Sequence, residues 1–195
     1  MKLADASRGV LTGALFIALI HGAVANDHSK ADRPQAAPKK DTSILVVKNA
    51  AEAAKLPVGT ECVRVEMRRH NDPSTLAAVL RRAPNIRLLD LYHPDNGVPA
   101  EAIQLLVKFR KLRELRITGD ANLDKKAFAT IGKLDKLESL RLQLPGPGFT
   151  DARLASLGGL IALKKLDMRG CRGNHREHER KVWEAIRKRR ADNSN

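Results

Sequence analysis

Apolar residues recur in two alternating rhythms along most of this chain. One is an apolar pattern, big-x-x-big-x-big, found five times: Cys62-x-x-Val65-x-Met67, Ile86-x-x-Leu89-x-Leu91, Leu112-x-x-Leu115-x-Ile117, Leu137-x-x-Leu140-x-Leu142 and Leu163-x-x-Leu166-x-Met168. Successive copies start 24, 26, 25 and 26 residues apart. The other rhythm lies three, six and nine residues upstream of a copy. It reads Leu154, Leu157, Leu160 before Leu163; Phe128, Ile131, Leu134 before Leu137; Ile103, Leu106, Phe109 before Leu112; and the smaller Ala77, Leu80, Ala83 before Ile86. Alternation at two residues marks a strand with one buried face, and a spacing of three is one stripe of a helix. Each copy is therefore predicted to be strand, loop and helix. A period kept over five copies predicts that the copies stack, with their strands as parallel neighbours and Val65, Leu89, Leu115, Leu140 and Leu166 in one column. Ala53 and Leu56 are fainter precursors of the first strand and place a half-repeat N-terminal cap at residues 43–61. The expected fold class is α/β: a short solenoid with a curved parallel sheet of five or six strands and a helix on the other side of each.

The strand pattern resembles the leucine-rich repeat family, whose motif is L-x-x-L-x-L-x-x-N/C-x-L, and the resemblance covers residues 62–171. The stretch Phe149-Thr150-Asp151-Ala152-Arg153-Leu154-Ala155-Ser156-Leu157 is similar to the helical half of its ~26-residue subclass, which opens on I-T-D-x-x-L. A side-chain oxygen of Thr150 or Asp151 would cap that helix by accepting from its first free N–H groups. Asp124 and the Pro73-Ser74-Thr75 stretch are placed to do the same for other copies. The ninth motif position departs from the family: it holds His70, Pro94, Asp120, Pro145 and Cys171, of which only the last matches. The polar ladder of the family is thus mostly missing, and irregular turns held by prolines are expected. The resemblance implies a non-catalytic binding module whose partner is another protein.

Both ends of the chain differ from the repeats. Lys2 and Arg8 precede an apolar run from Val10 to Ile20, and Ala23 and Ala25 fit an A-x-A cleavage pattern before Asn26. The run is shorter than the ~20 residues of a spanning helix. Residues 1–25 are read as a signal peptide and the protein as exported, to the periplasm or beyond. Residues 26–42 contain no large apolar side chain and read as a disordered linker. The repeat domain then covers residues 43–192. Within it, residues 174–190 are predicted to be a basic helix whose Val182, Trp183 and Ile186 close the open end of the stack, with Trp183 covering the last apolar layer.

Composition narrows the function classes. Of 195 residues, 43% are hydrophobic and 30% charged, which excludes wholesale disorder and a polytopic membrane protein. Two cysteines exclude a disulfide-stapled miniprotein and any four-cysteine metal cage. Cys62 and Cys171 fall four strands apart, roughly 19 Å at ~4.8 Å per step, beyond the ~7 Å that a disulfide spans. No intramolecular bridge is expected, and both side chains read as buried. His175-x-x-His178 beside Glu177 and Glu179 lacks a third ligand and a supporting shell, so no metal is assigned. His70 and His93 fall in turns. No G-x-S-x-G, H-E-x-x-H or phosphate-cradling loop occurs, so no catalytic residue and no cofactor are assigned.

Positions three, five and seven of each copy face outward along the sheet. They form a grid of six bases and four acids, with Tyr92 its only aromatic residue. Arg and Tyr are the commonest anchors of protein interfaces. The partner-binding candidates are Arg68, Asp90, Tyr92, Arg116, Arg141, Gln143 and Arg169, with Arg116 and Arg141 adjacent and flanked by Asp90 and Asp167. The competing reading is a solvated sheet whose Arg–Asp neighbours only limit aggregation. The chain's net charge of +14 is concentrated elsewhere: residues 169–190 carry nine bases and three acids. An alternative function follows, attachment to acidic envelope or matrix polyanions through Arg187, Lys188, Arg189 and Arg190. Nucleic acid is disfavoured by the want of stacking aromatics and of any reader motif.

Overall fold

Each alternating run becomes one strand of a single parallel sheet whose order follows the chain. The structure, a computed structural model, describes residues 43–67, 73–93, 98–119, 123–146, 149–171 and 174–194. The segments expected to be signal peptide and linker lie outside them, as do residues 68–72, with Arg68 and His70, and residues 94–97, 120–122, 147–148, 172–173 and 195. Among the described residues six strands pair in sequence: β1 (Leu45–Val47), β2 (Cys62–Glu66), β3 (Leu88–His93), β4 (Glu114–Gly119), β5 (Ser139–Gly146) and β6 (Lys165–Cys171). Between them run α1 (Ala50–Ala54), α2 (Ser74–Arg82), α3 (Ala100–Leu105), α4 (Lys125–Ile131) and α5 (Asp151–Ala155), and α6 (His175–Asp192) closes the chain. The fold is the expected α/β solenoid, with helices lining one side of the sheet. The N-terminal cap is a short but complete unit, holding both a strand and a helix.

Two apolar columns run across the sheet. Leu45, Val63, Leu89, Leu115, Leu140 and Leu166 are register partners in turn, and so are Val47, Val65, Leu91, Ile117, Leu142 and Met168. All are buried except Leu45 and Leu166, which are partly so. The first copy therefore lies two residues away from its predicted frame: Val63, not Val65, stands beside Leu89. Measured along that column the steps become 26, 26, 25 and 26, more even than the sequence pattern indicates. The cause is local. Cys62, Val63, Val65 and Met67 are all buried, so the apolar pattern there fits two frames and only pairing with β3 selects one.

The helical stripes follow the spacing rule where the helix tightens. Leu106–Lys108 and Ser156–Gly159 are 3-10 turns continuing α3 and α5, and three residues per turn aligns Ile103 with Leu106 and Phe109, and Leu154 with Leu157 and Leu160. All six are buried. Helix α2 has no such turn, and its fully buried residues are Leu76 and Val79 rather than Ala77 and Leu80. Caps follow side-chain chemistry. Asp124 accepts from the Ala127 N–H at 2.7 Å and Thr150 from Arg153 at 3.4 Å, whereas the cap position of α2 is Pro73, which makes no such bond.

The open end is closed as expected by α6, with Val182 and Ile186 rather than Trp183 as the deepest residues. Val182 and Ile186 are fully buried, while Trp183 is half-buried against the core edge. Glu179 accepts the backbone N–H of Met168 at 3.0 Å, which occupies a donor on an edge strand that would otherwise invite another chain. Lys181 pairs with Asp151 at 2.6 Å.

Between α4 and the last copy the backbones touch. A methyl on Gly132 would sit 2.0 Å from the Ser156 carbonyl oxygen, and one on Gly159 would sit 2.2 Å from the Gly132 carbonyl oxygen. Gly132 has ordinary helical dihedrals, so replacing it with Ala would by itself stabilise by about 0.5–1 kcal/mol. The contact reverses the sign. Gly132→Ala is expected to lower stability by about 1–3 kcal/mol, seen as a lower urea midpoint; an unchanged or raised midpoint would show that the turns separate easily.

Candidate functional site

Residues lying between the apolar columns face away from the helices and form three rows across the sheet. Arg64, Asp90, Arg116, Arg141 and Asp167 are successive register partners along the middle row. On one side run Glu66, Tyr92, Thr118, Gln143 and Arg169; on the other run Cys62, Leu88, Glu114, Ser139 and Lys165. The frame change in β2 shifts its whole row of the expected grid: Cys62 stands beside Leu88 and Arg64 beside Asp90. Glu66, not Arg68, is the neighbour of Tyr92. Asp90, Tyr92, Arg116, Arg141, Gln143 and Arg169 are brought to one face as predicted.

Ion pairs organise the middle row. Arg64 donates to one oxygen of Asp90 through Nε at 2.9 Å and Nη2 at 2.8 Å. Asp90 is consequently 3% exposed: the expected outward acid lies beneath the guanidinium that pairs with it. Arg116 and Arg141 stand directly opposite each other, an arrangement that like charges disfavour. They turn apart. Arg116 turns back along its own strand to Glu114, with Nε at 2.8 Å, and Arg141 reaches forward to Asp167 at 3.0 Å. The second oxygen of Asp167 accepts from Arg169 Nε at 2.8 Å. Tyr92 keeps 38% of its surface exposed, and Gln143 is exposed beside Thr118.

The other chemistry-bearing residues fall elsewhere. His93 ends β3 and is fully buried, not in a turn. Cys62 is buried yet belongs to the outer row beside Leu88 rather than to the core cluster. Burial pushes its thiol pKa up, helped by the charges of Glu61 and Glu114. The side chain of Cys171 lies outside the described residues. His178 packs its ring 5.4 Å from Phe149, while His175 is exposed. No group of three or more His, Cys, Asp or Glu side chains that could hold a metal comes together among the described residues.

In the basic tail, Arg187, Lys188 and Arg189 are exposed. Arg190 is exposed as well, but part of its guanidinium is already bonded within the fold. Its Nε donates to the Ile161 carbonyl at 2.8 Å and its Nη2 to that of Leu163 at 2.9 Å, which ties α6 to the last turn. Sequence reasoning also missed Arg64, Glu114 and Glu179 as organising groups. A signal for some of these exists: Arg64–Asp90, Arg141–Asp167 and Glu138–Lys164 are all pairs 26 residues apart, one repeat length.

No family model matches this chain, and neither a curated protein nor a solved structure does. No helix among the described residues is long and apolar enough to cross a membrane.

The two Arg–Asp pairs of the middle row should behave differently. Arg64→Ala strands a nearly buried carboxylate and is expected to cost about 2–3 kcal/mol. Arg141→Ala removes an exposed partner and should cost about 0–1 kcal/mol. Urea denaturation of both variants checks the order; equal midpoints would mean that Asp90 is rescued by another donor.

Proposed function

We propose that this protein is a non-catalytic binding module of the leucine-rich repeat kind that engages another protein through the open face of its sheet. The carrying observation is the bare face itself. Parallel sheets are ordinarily covered on both sides, and here, among the described residues, the helices take only one. The other presents Tyr92, Gln143 and a row of arginines already held by Glu114, Asp90 and Asp167. Side chains fixed before binding lose less entropy on contact, and the rigid grid offers a partner alternating charge around one exposed aromatic ring. The N-terminal pattern of residues 1–25 supports export as the setting in which that partner is met.

The test is capture from the exported fraction, followed by direct titration of the purified captured protein. With Arg116→Glu and Arg141→Glu combined, affinity is expected to fall at least tenfold, and Tyr92→Ala should fall in the same direction. Raising salt should change the parent affinity little, since a packed interface screens poorly. Unchanged affinity in all face variants would overturn the strand face as the site.

A further inference from the structure

Because every strand is parallel and in register, every connection from a helix into the next strand falls on the same edge of the stack. The backbone shows this directly. The N–H of Arg87 donates to the Glu61 carbonyl at 2.8 Å, that of Arg113 to Arg87 at 2.8 Å, that of Glu138 to Arg113 at 2.7 Å and that of Lys164 to Glu138 at 2.8 Å. These residues form a continuous ladder, and the loops carrying them are neighbours. The loops at 81–87, 107–113 and 133–138 hold nine bases and two acids, an excess of seven and half of the chain's net +14.

The two acids there leave most of the cations untouched. Glu138 accepts from Lys164 at 2.7 Å and lies 3.5 Å from Arg113. Asp135 lines a cleft of about 140 Å³ between two successive loops, together with Arg110, Lys133 and Lys136 over an apolar floor that includes Leu112 and Leu134. Arg81, Lys108, Arg110, Lys111, Lys133 and Lys136 are exposed and make no ion pair among the described residues. The edge continues onto α6. The bonds of Arg190 to Ile161 and Leu163 set the end of that helix beside the last loop. There Lys188 and Arg189, with Asp192, line a second hollow of about 360 Å³ together with Gly158, Gly159 and Ala185.

We propose that this strand-start edge is a binding site for a linear acidic polysaccharide, lying across successive loops and ending on Lys188 and Arg189. It is a different surface from the open sheet face and does not depend on that face having a partner. A row of cations one loop apart matches a polymer whose anionic groups repeat along its length. The ladder from Arg87 to Lys164 spans roughly 14 Å at ~4.8 Å per strand. The chemistry of the row selects against nucleic acid: Phe109, the aromatic residue of these loops, is 2% exposed, so no ring is offered for base stacking. On α6, Val182 and Ile186 are buried in the stack and Trp183 is half-buried against it, while Val107 and Ile161 of the edge loops are 43% and 36% exposed, so lipid vesicles are the competing ligand that the test includes.

The experiment titrates the full chain with heparin as the sulfated polysaccharide probe, and in parallel with oligo(dT) and with phosphatidylserine vesicles. Heparin binding is expected to weaken steeply between about 50 and 200 mM salt, since neutralised anions release counterions. The variant R110Q/K111Q/K133Q/K136Q is expected to bind heparin at least tenfold more weakly. The sheet-face variant R116E/R141E should bind it like the parent, which separates failure here from failure of the protein-binding reading. Should the fourfold change impair folding, as read by circular dichroism, the pair K133Q/K136Q serves, with at least a threefold loss expected. Parent-like heparin affinity in the folded edge variant overturns the proposal. So does no heparin binding at low salt, or tighter binding of oligo(dT) or vesicles than of heparin at equal salt.

Discussion

The architecture depends on one constraint: each copy must return its chain to the same height, so that its two inward strand residues land beside those of the preceding copy. Val63, Leu89, Leu115, Leu140 and Leu166 meet it in one column and Val65, Leu91, Ile117, Leu142 and Met168 in the next. Burying a side chain of this size is worth about 1.5–3 kcal/mol, against about 0–1 for an exposed ion pair. The columns therefore choose the register, and the charges are arranged on whatever register results. That ranking explains why Arg116 and Arg141 stand side by side although like charges repel. The apolar neighbours on either side of them leave no alternative, and each guanidinium finds relief in an acid elsewhere on the face.

The same constraint creates two distinct surfaces from one sequence pattern. Residues between the columns are gathered on a face, and residues of the connecting loops are gathered on an edge. A side chain at one position of the repeat thus recurs beside its counterparts without any specific contact to place it there. Loops supported by a rigid stack are where binding residues concentrate. The face is nearly balanced in charge, with five bases and four acids in its described rows; the edge is strongly positive. Two surfaces of such different character suit different classes of ligand.

Much of this was legible in the residues, and the exceptions have physical causes. The repeat length, the strand positions of copies two to five and the helical stripes ending in 3-10 turns follow from apolar spacing alone. The frame of the first copy does not, because its strand is apolar at too many positions to fix one. The stripe of α2 differs because a helix without a tight turn advances 3.6 residues per turn, not three. Asp90 was legible as a face residue but not as a buried one, since its burial depends on Arg64 from the adjacent copy. Arg190 belongs to a run of four bases and is indistinguishable from them in sequence. Only the end of α6 meeting the carbonyls of Ile161 and Leu163 separates its role from theirs. No motif marks the basic edge either, as its members are scattered along the chain and converge only through stacking.

Among the described residues, the two ends of the stack are secured unequally. The last strand is held by a long helix through Glu179, Lys181 and Arg190, whereas the first is a three-residue strand with Val46 46% exposed. In an array whose units touch only their neighbours, order is lost one unit at a time from the weaker terminus. The molecule therefore has a built-in direction of unravelling, in which β1 and α1 detach while the carboxyl-terminal copies, with Arg116, Arg141 and the last loops, stay assembled.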